Sequence, residues 1–228
     1  MPPAIAGDGG KQHVGIEVYR LLTGRDPAAA DIRDDAEFDR HVLASIVAAA
    51  AMDGGGIAGC VGLDVQELGA LLVECFPRVR SDVAIRRDEV DMAEDEEVAM
   101  VRDLLLGTRS TAGNIGRWLA AMVARRALEP NHLWEDLGLR DRSELSRLLA
   151  RHFAPLAARN TKNMRWKRFF YRMLCEDDGL VMCTTPVCTQ CNDFALCFGD
   201  ESGESRMAER RRDVLAQAVA ASSGGLPT

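Results

Sequence analysis

The chain has 228 residues, 47% of them hydrophobic, enough for one large domain with a core of its own. Its formal net charge of −7 opposes nonspecific binding to nucleic acid or to an anionic membrane, both of which need a positive field. Aromatic residues make up only 5%, alanine and leucine dominate, and alternating β-branched patterns are almost absent, so the composition points to an all-α fold.

The opening MPPAIAGDGG has neither a basic start nor an apolar stretch of secretory length, and residues 1–10 read as disordered. Val14, Val18, Leu21 and Leu22 then share a helical face over Gln12 to Leu22, with Gly24 and Pro27 ending the helix. Asp34 and Asp35 open a longer one, in which Phe38, Val42, Ile46 and Ala49 recur at helical spacing. Its apolar run, Val42 to Met52, is eleven residues long and too short to cross a bilayer. With no export signal, a cytoplasmic protein is expected, whose cysteines meet a reducing environment that favours metal binding or catalysis over disulfides.

The glycines of DGGGIAGCVGL break the helix, but no strand precedes them and no G-K-[ST] follows, so they read as an interhelical connection rather than a phosphate loop. Asp64 is an N-cap candidate for a helix over Val65 to Phe76 that Pro77 ends, with Leu68, Leu71, Leu72 and Cys75 on one face. Cys60 and Cys75 both read as packed thiols. Seven of the ten residues Asp88 to Glu97 are acidic, a solvated helix start without the glycine-centred pattern of a calcium loop. Ser110 to Leu128 reads as a helix with Ile115, Trp118, Leu119 and Met122 inward. Asn131 to Leu139 reads as a short turn that plugs the core. Asp141, with Glu144 three residues on, forms an Asp version of the capping box. The helix that follows places Leu145, Leu148, Leu149, His152, Phe153 and Leu156 on one face, where a histidine is more often a hydrogen-bonded core residue than a ligand.

Six basic and no acidic residues lie between Arg159 and Arg172, interleaved with Trp166, Phe169, Phe170 and Tyr171. Helical spacing makes this an amphipathic helix with a basic outer face, placed to favour an anionic site or to attract an oxyanion. Beyond it, CTTPVCTQCNDFALC packs four of the seven cysteines into fifteen residues, spaced C-x4-C-x2-C-x5-C at Cys183, Cys188, Cys191 and Cys197. Four soft thiolates this close can converge on one centre. The compact spacing favours an iron-sulfur cluster, with zinc and then redox thiols or disulfides as the alternatives. The chain thus divides into residues 1–10, a single helical domain over 11–200 with a cluster-binding segment at 175–199, and a partly helical tail over 201–228. The fold expected is an irregular helical bundle with a C-terminal cysteine-rich metal-binding loop.

The strings NHLWEDLGL, HFAPLAARNTKNMRWKRFFYRMLCEDDG and CTTPVCTQCNDFALCFG resemble the NifQ family of nitrogen-fixation proteins, molybdenum carriers for nitrogenase cofactor assembly. The likeness covers Asn131 to Gly199, with the four-cysteine spacing its most specific part, and LLVECFP agrees with it. It implies an iron-sulfur protein of 4Fe-4S or 3Fe-4S type that takes up molybdenum from molybdate and donates it for synthesis of the iron-molybdenum cofactor. It further implies the scaffold NifEN and the nitrogenase iron protein NifH as partners, and no catalytic activity. Carried over to this sequence, the cluster ligands are Cys183, Cys188, Cys191 and Cys197. Ligand count then suggests that three cysteines hold iron while the fourth, or Asp193, His152 or His132, completes the molybdenum shell, with Cys175 a weaker candidate. Arg165, Lys167, Arg168 and Arg172 are the expected surface for molybdate or an acidic partner. Two rival readings are a zinc-stapled helical interaction module and an iron-sulfur sensor or redox enzyme. No nucleophile-base pairing, nucleotide fingerprint or flavin motif supports an enzyme.

Overall fold

The computed structural model describes residues 8–79 and 95–177, whose regular elements are all helices, with no strand among them. The early part of the acidic run, the cysteine-rich segment and the C-terminal tail lie outside the described residues. In order, the elements are α1 (Asp8–Thr23), a 3-10 turn at Pro27–Ala29, α2 (Asp35–Asp53), α3 (Ile57–Val61) and α4 (Val65–Cys75). They continue with α5 (Glu96–Gly107), α6 (Ile115–Ala127), α7 (Leu133–Asp136), α8 (Arg142–His152), α9 (Ala154–Arg159) and α10 (Trp166–Asp177).

Helix α2 is the axis of the body. Asp34 caps it, accepting from the N–H groups of Ala36 and Glu37, and Gly54 closes it in the left-handed region at φ 80°. Every residue from Phe38 to Ala50 except Arg40 is buried, so this helix is enclosed on all sides rather than resting one stripe on a core. Helix α1 packs along it through Tyr19 and Leu22, while α3 and α6 meet it from other sides.

The remaining caps follow the sequence closely. Asp64 accepts from Glu67 N–H, Asp95 from Glu97 N–H, and Asp141 from Ser143 and Glu144 N–H. Glu144 does not return to the cap as a capping box would have it. Its Oε2 accepts from Arg140 N–H at 3.0 Å, and the side chain turns inward to α2. Helix α6 begins later than the Ser110 expected, because Gly113 sits at φ 83° and residues 110 and 111 are drawn off to the end of α8. The face predicted for the α8 region is buried as read, but it is carried by two helices. Pro155 has no N–H to continue the α8 ladder. The carbonyls of Arg151 and His152 accept instead from Ser110 Oγ (2.9 Å) and Ser110 N–H (2.8 Å).

Helix α7 ends in a Schellman motif, with Leu139 N–H on Trp134 O and Gly138 N–H on Glu135 O, both at 2.9 Å. Gly138 has φ 68°, and a Cβ added there would lie 2.6 Å from the Ser45 carbonyl of α2. Strain and collision therefore act together at this residue, and Gly138→Ala is expected to cost about 2 kcal/mol or more. Gly24, at φ 71° but in open space, is expected to cost only about 1 kcal/mol when changed to Ala. Urea midpoints of the two variants test this, and equal losses would contradict it.

Candidate metal centre

Helix α10 is the last described element before the cysteine-rich segment, and the protein fixes it at several points. Asn160 closes the approach turn twice, its Oδ1 accepting from Met164 N–H (2.8 Å) and its Nδ2 donating to Met164 O (3.0 Å). Arg142 of α8 donates from Nη2 to Met164 O at 2.8 Å and to Asn163 Oδ1 at 3.0 Å, holding Asn163 in the left-handed region at φ 54°. Trp166, Phe169, Phe170 and Met173 are then buried, with Trp166 edge-on to Phe169 at 5.7 Å between ring centroids. Burial of each such side chain is worth about 2 kcal/mol.

Lys167, expected on the basic outer face, points inward. Its Nζ donates to Asp136 Oδ2 at 2.6 Å and to the Glu129 carbonyl, joining α10 to the α6–α7 region. Arg126 supports the same junction, donating from Nε to Asp136 O at 2.7 Å and from Nη1 to Asp53. Burial pushes the Asp136 carboxyl up and the Lys167 amine down, each only partly opposed by the other's charge. The pair is a positional lock whose desolvation consumes most of its attraction.

Arg172 donates from Nε to Glu176 at 2.7 Å, and Arg165 also has interactions. Arg168, Arg172 and Cys175 follow at i, i+4 and i+7, one stripe of the helix, with Cys175 partly buried. The last turn of α10 carries Glu176 and no basic residue, so its cations lie toward the start of the helix rather than the end nearest the cysteines. Cys183, Cys188, Cys191, Cys197 and Asp193 lie outside the described residues. Among the described residues no three His, Cys, Asp or Glu side chains gather as a metal site.

His152 is 1% exposed, and both its ring nitrogens have protein partners: Nδ1 with Thr111 Oγ1 at 2.8 Å and Nε2 with Asp39 Oδ1 at 2.9 Å. No ring nitrogen is left to face a metal. His132 is partly buried at the start of α7, where its N–H donates to Glu135 Oε2 at 3.0 Å. Asp39, which the sequence reading passed over, is the hub of the cluster. Arg151 grips it with two parallel bonds, Nε to Oδ1 at 2.8 Å and Nη2 to Oδ2 at 2.9 Å. A second cluster nearby joins His41 Nε2 to Glu144 Oε2 (3.2 Å) and His41 Nδ1 to Tyr19 Oη (2.7 Å). The readable signal was slight: Asp39 directly follows Phe38 on the helix, and a charge drawn into the interior must be paired.

Burial alone would raise the Asp39 carboxyl, but the His152 and Arg151 contacts outweigh it and hold the group below the usual carboxylate range. The stability it contributes is present above its unfolded pKa of about 3.9 and is lost as pH falls through the lower folded value. Asp39→Asn is expected to cost about 3 kcal/mol at pH 7, with the gap to the unaltered protein shrinking toward pH 3. Urea titrations at the two pH values measure it, and a gap independent of pH would refute the assignment. Lys167→Ala is expected to cost about 3 kcal/mol by stranding buried Asp136, against no more than about 0.5 kcal/mol for Arg168→Ala. Thermal or urea unfolding of the two variants decides whether Lys167 is the anchor.

A family model described as NifQ matches residues 42–199. A protein described as a NifQ homolog from Sinorhizobium fredii (strain NBRC 101917 / NGR234) is 44% identical over 174 residues, covering 74% of this chain and 75% of that protein. The NifQ protein of Rhodobacter capsulatus is 40% identical over 149 residues, covering 64% of this chain and 80% of that protein. That of Azotobacter vinelandii is 44% identical over 140 residues, covering 61% of this chain and 68% of that protein. No solved structure matches the chain.

Proposed function

The chain belongs to the NifQ family, and on that premise we propose that it is an iron-sulfur molybdenum carrier. In this reading it binds molybdenum with an iron-sulfur cluster and donates it, without catalysis, for iron-molybdenum cofactor assembly, with NifEN and NifH as receiving partners. The observation that carries the reading is the donor set: Cys183, Cys188, Cys191 and Cys197, four soft thiols in fifteen residues within the family-matched span.

Two of the other three thiols support the assignment by their unfitness. Burial pushes Cys75 up to about 11 and raises Cys60 as well, so both stay protonated near neutral pH and neither offers a thiolate. The cluster, when bound, supplies sulfide and an open coordination position for the heterometal. The protein's own part is to hold three or four thiolates and to leave the cargo exchangeable. Helix α10, anchored by Asn160, Arg142 and Lys167, gives the ligand segment a fixed point of departure. Arg165, Arg168 and Arg172 add attraction for molybdate along that helix.

Anaerobic purification followed by iron, sulfide, zinc and molybdenum analysis, with and without molybdate, tests the reading. Iron and sulfide together, molybdenum uptake on adding molybdate, and loss of both in Cys188→Ala and Cys191→Ala are expected. One zinc per chain with neither iron nor sulfide would replace the carrier with a zinc-stapled module.

A further inference from the structure

Between α1, α2 and the end of α4 lies a half-open cavity of about 380 Å³ whose wall brings together Arg25, Arg40 and Arg78 from three separate segments. Asp31, Glu37 and Glu74 line the same wall, so carboxylates and guanidiniums are equal in number there. Two of these carboxylates also have hydrogen-bond partners outside the cavity. Asp31 receives Arg33 through Nε at 2.9 Å and Nη2 at 2.5 Å, and Glu74 accepts from Asn114 Nδ2 at 3.0 Å. Glu37 is left between two guanidiniums, bonded to Arg40 and 3.8 Å from Arg25. Arg78 makes no ion pair or hydrogen bond with the described residues. Among the described residues Arg78 is therefore the rim guanidinium without a bonded carboxylate.

The floor is fixed by the chain Tyr19, His41 and Glu144. Burial raises Glu144, but the His41 and Arg140 bonds outweigh it and keep the carboxyl below its ordinary value. His41 bonds Glu144 through Nε2 and the Tyr19 hydroxyl through Nδ1, so both ring nitrogens are occupied. Both floor side chains are thereby committed inward, and the recognition groups are the arginines of the rim.

We propose that this cavity is a binding site for a small tetrahedral oxyanion, held by Arg40 and Arg78 with Arg25 closing the third side. Planar guanidinium forks match the edges of such an anion two oxygens at a time. The anion chemistry rests on this cavity alone. Choosing molybdate among tetrahedral dianions rests on the carrier reading above, for which the cavity would be an entry site separate from the cysteines.

Isothermal titration of the full-length chain with molybdate, sulfate and phosphate tests the proposal. A single site is expected, weakened about tenfold or more by each of Arg40→Gln and Arg78→Gln and unmoved by Arg117→Gln on α6, with melting temperatures confirming that the variants fold. No binding of any of the three anions, or binding indifferent to both cavity variants, overturns the site. Tighter binding of molybdate than of sulfate and phosphate supports the entry role, and equal or weaker binding overturns that role. The two readings fail separately: a chain that loads iron and molybdenum yet binds no anion at the arginines loses only this site. A chain that binds the anion but purifies with zinc alone loses only the carrier function.

Discussion

The buried carboxylate of Asp39 is the contact on which the body's arrangement depends. Removing a carboxylate from water is costly, and here the cost is met by the Arg151 fork and the His152 ring. Arg151 also reaches Asp35 at 2.6 Å, and Arg147 bonds Asp35 at 2.8 Å while lying 4.0 Å over the Phe38 ring. Together these contacts fix α8 against the first half of α2. The far side of the His152 ring holds Thr111, and the end of α8 holds Ser110, so one cluster also sets where the chain enters α6. From α6 the dependence continues through Arg126 to Asp136 and so to Lys167 of α10.

The two buried ionic locks have different energetic characters. At Asp39 the partners win over burial and the carboxyl is held low, so the charged form stabilises the fold. At Asp136 and Lys167 burial wins on both sides, raising the acid and lowering the base. A pair of that kind contributes little net stability but tolerates only one geometry. The stabilising share at α10 comes from Trp166, Phe169, Phe170 and Met173. Two adjacent phenylalanines would accept a small rotation of the helix with modest loss. The Lys167 bond removes that freedom, because a turn of one residue would leave Asp136 buried without its cation.

The sequence made the caps and most apolar faces legible because both depend on local chemistry, although Val14 and Leu21, read as part of the α1 face, are exposed and Tyr19 is buried instead. Asp34, Asp64 and Asp141 each cap the helix expected of them, and Leu145, Leu148, Leu149, His152, Phe153 and Leu156 are buried as their spacing required. What misled was information from elsewhere in the chain. The basic run from Arg159 gave no sign that Lys167 faces inward, since its partner Asp136 lies 31 residues earlier. Glu144 fitted a capping box by position, yet His41, 103 residues away, draws its side chain inward. The entry to α6 failed for the same reason: Ser110 and Thr111 are good helix-start residues whose hydrogen bonds are claimed by the end of α8. The cavity arginines come from three segments, so no local pattern marks them.

This economy of polar groups bears on which metal chemistry the chain can offer. A site for a hard or borderline cation needs imidazoles or carboxylates with lone pairs to spare. In the described body the candidates are committed: His41 and His152 have both ring nitrogens bonded, Asp39 is filled by Arg151 and His152, and Asp136 is held by Lys167. Two of the three described thiols are also withdrawn, since burial keeps Cys60 and Cys75 protonated. Cys183, Cys188, Cys191 and Cys197 lie outside the described residues. The described fold thus spends these oxygen and nitrogen donors in helix-to-helix locks, which leaves them unsuited to a hard or borderline cation.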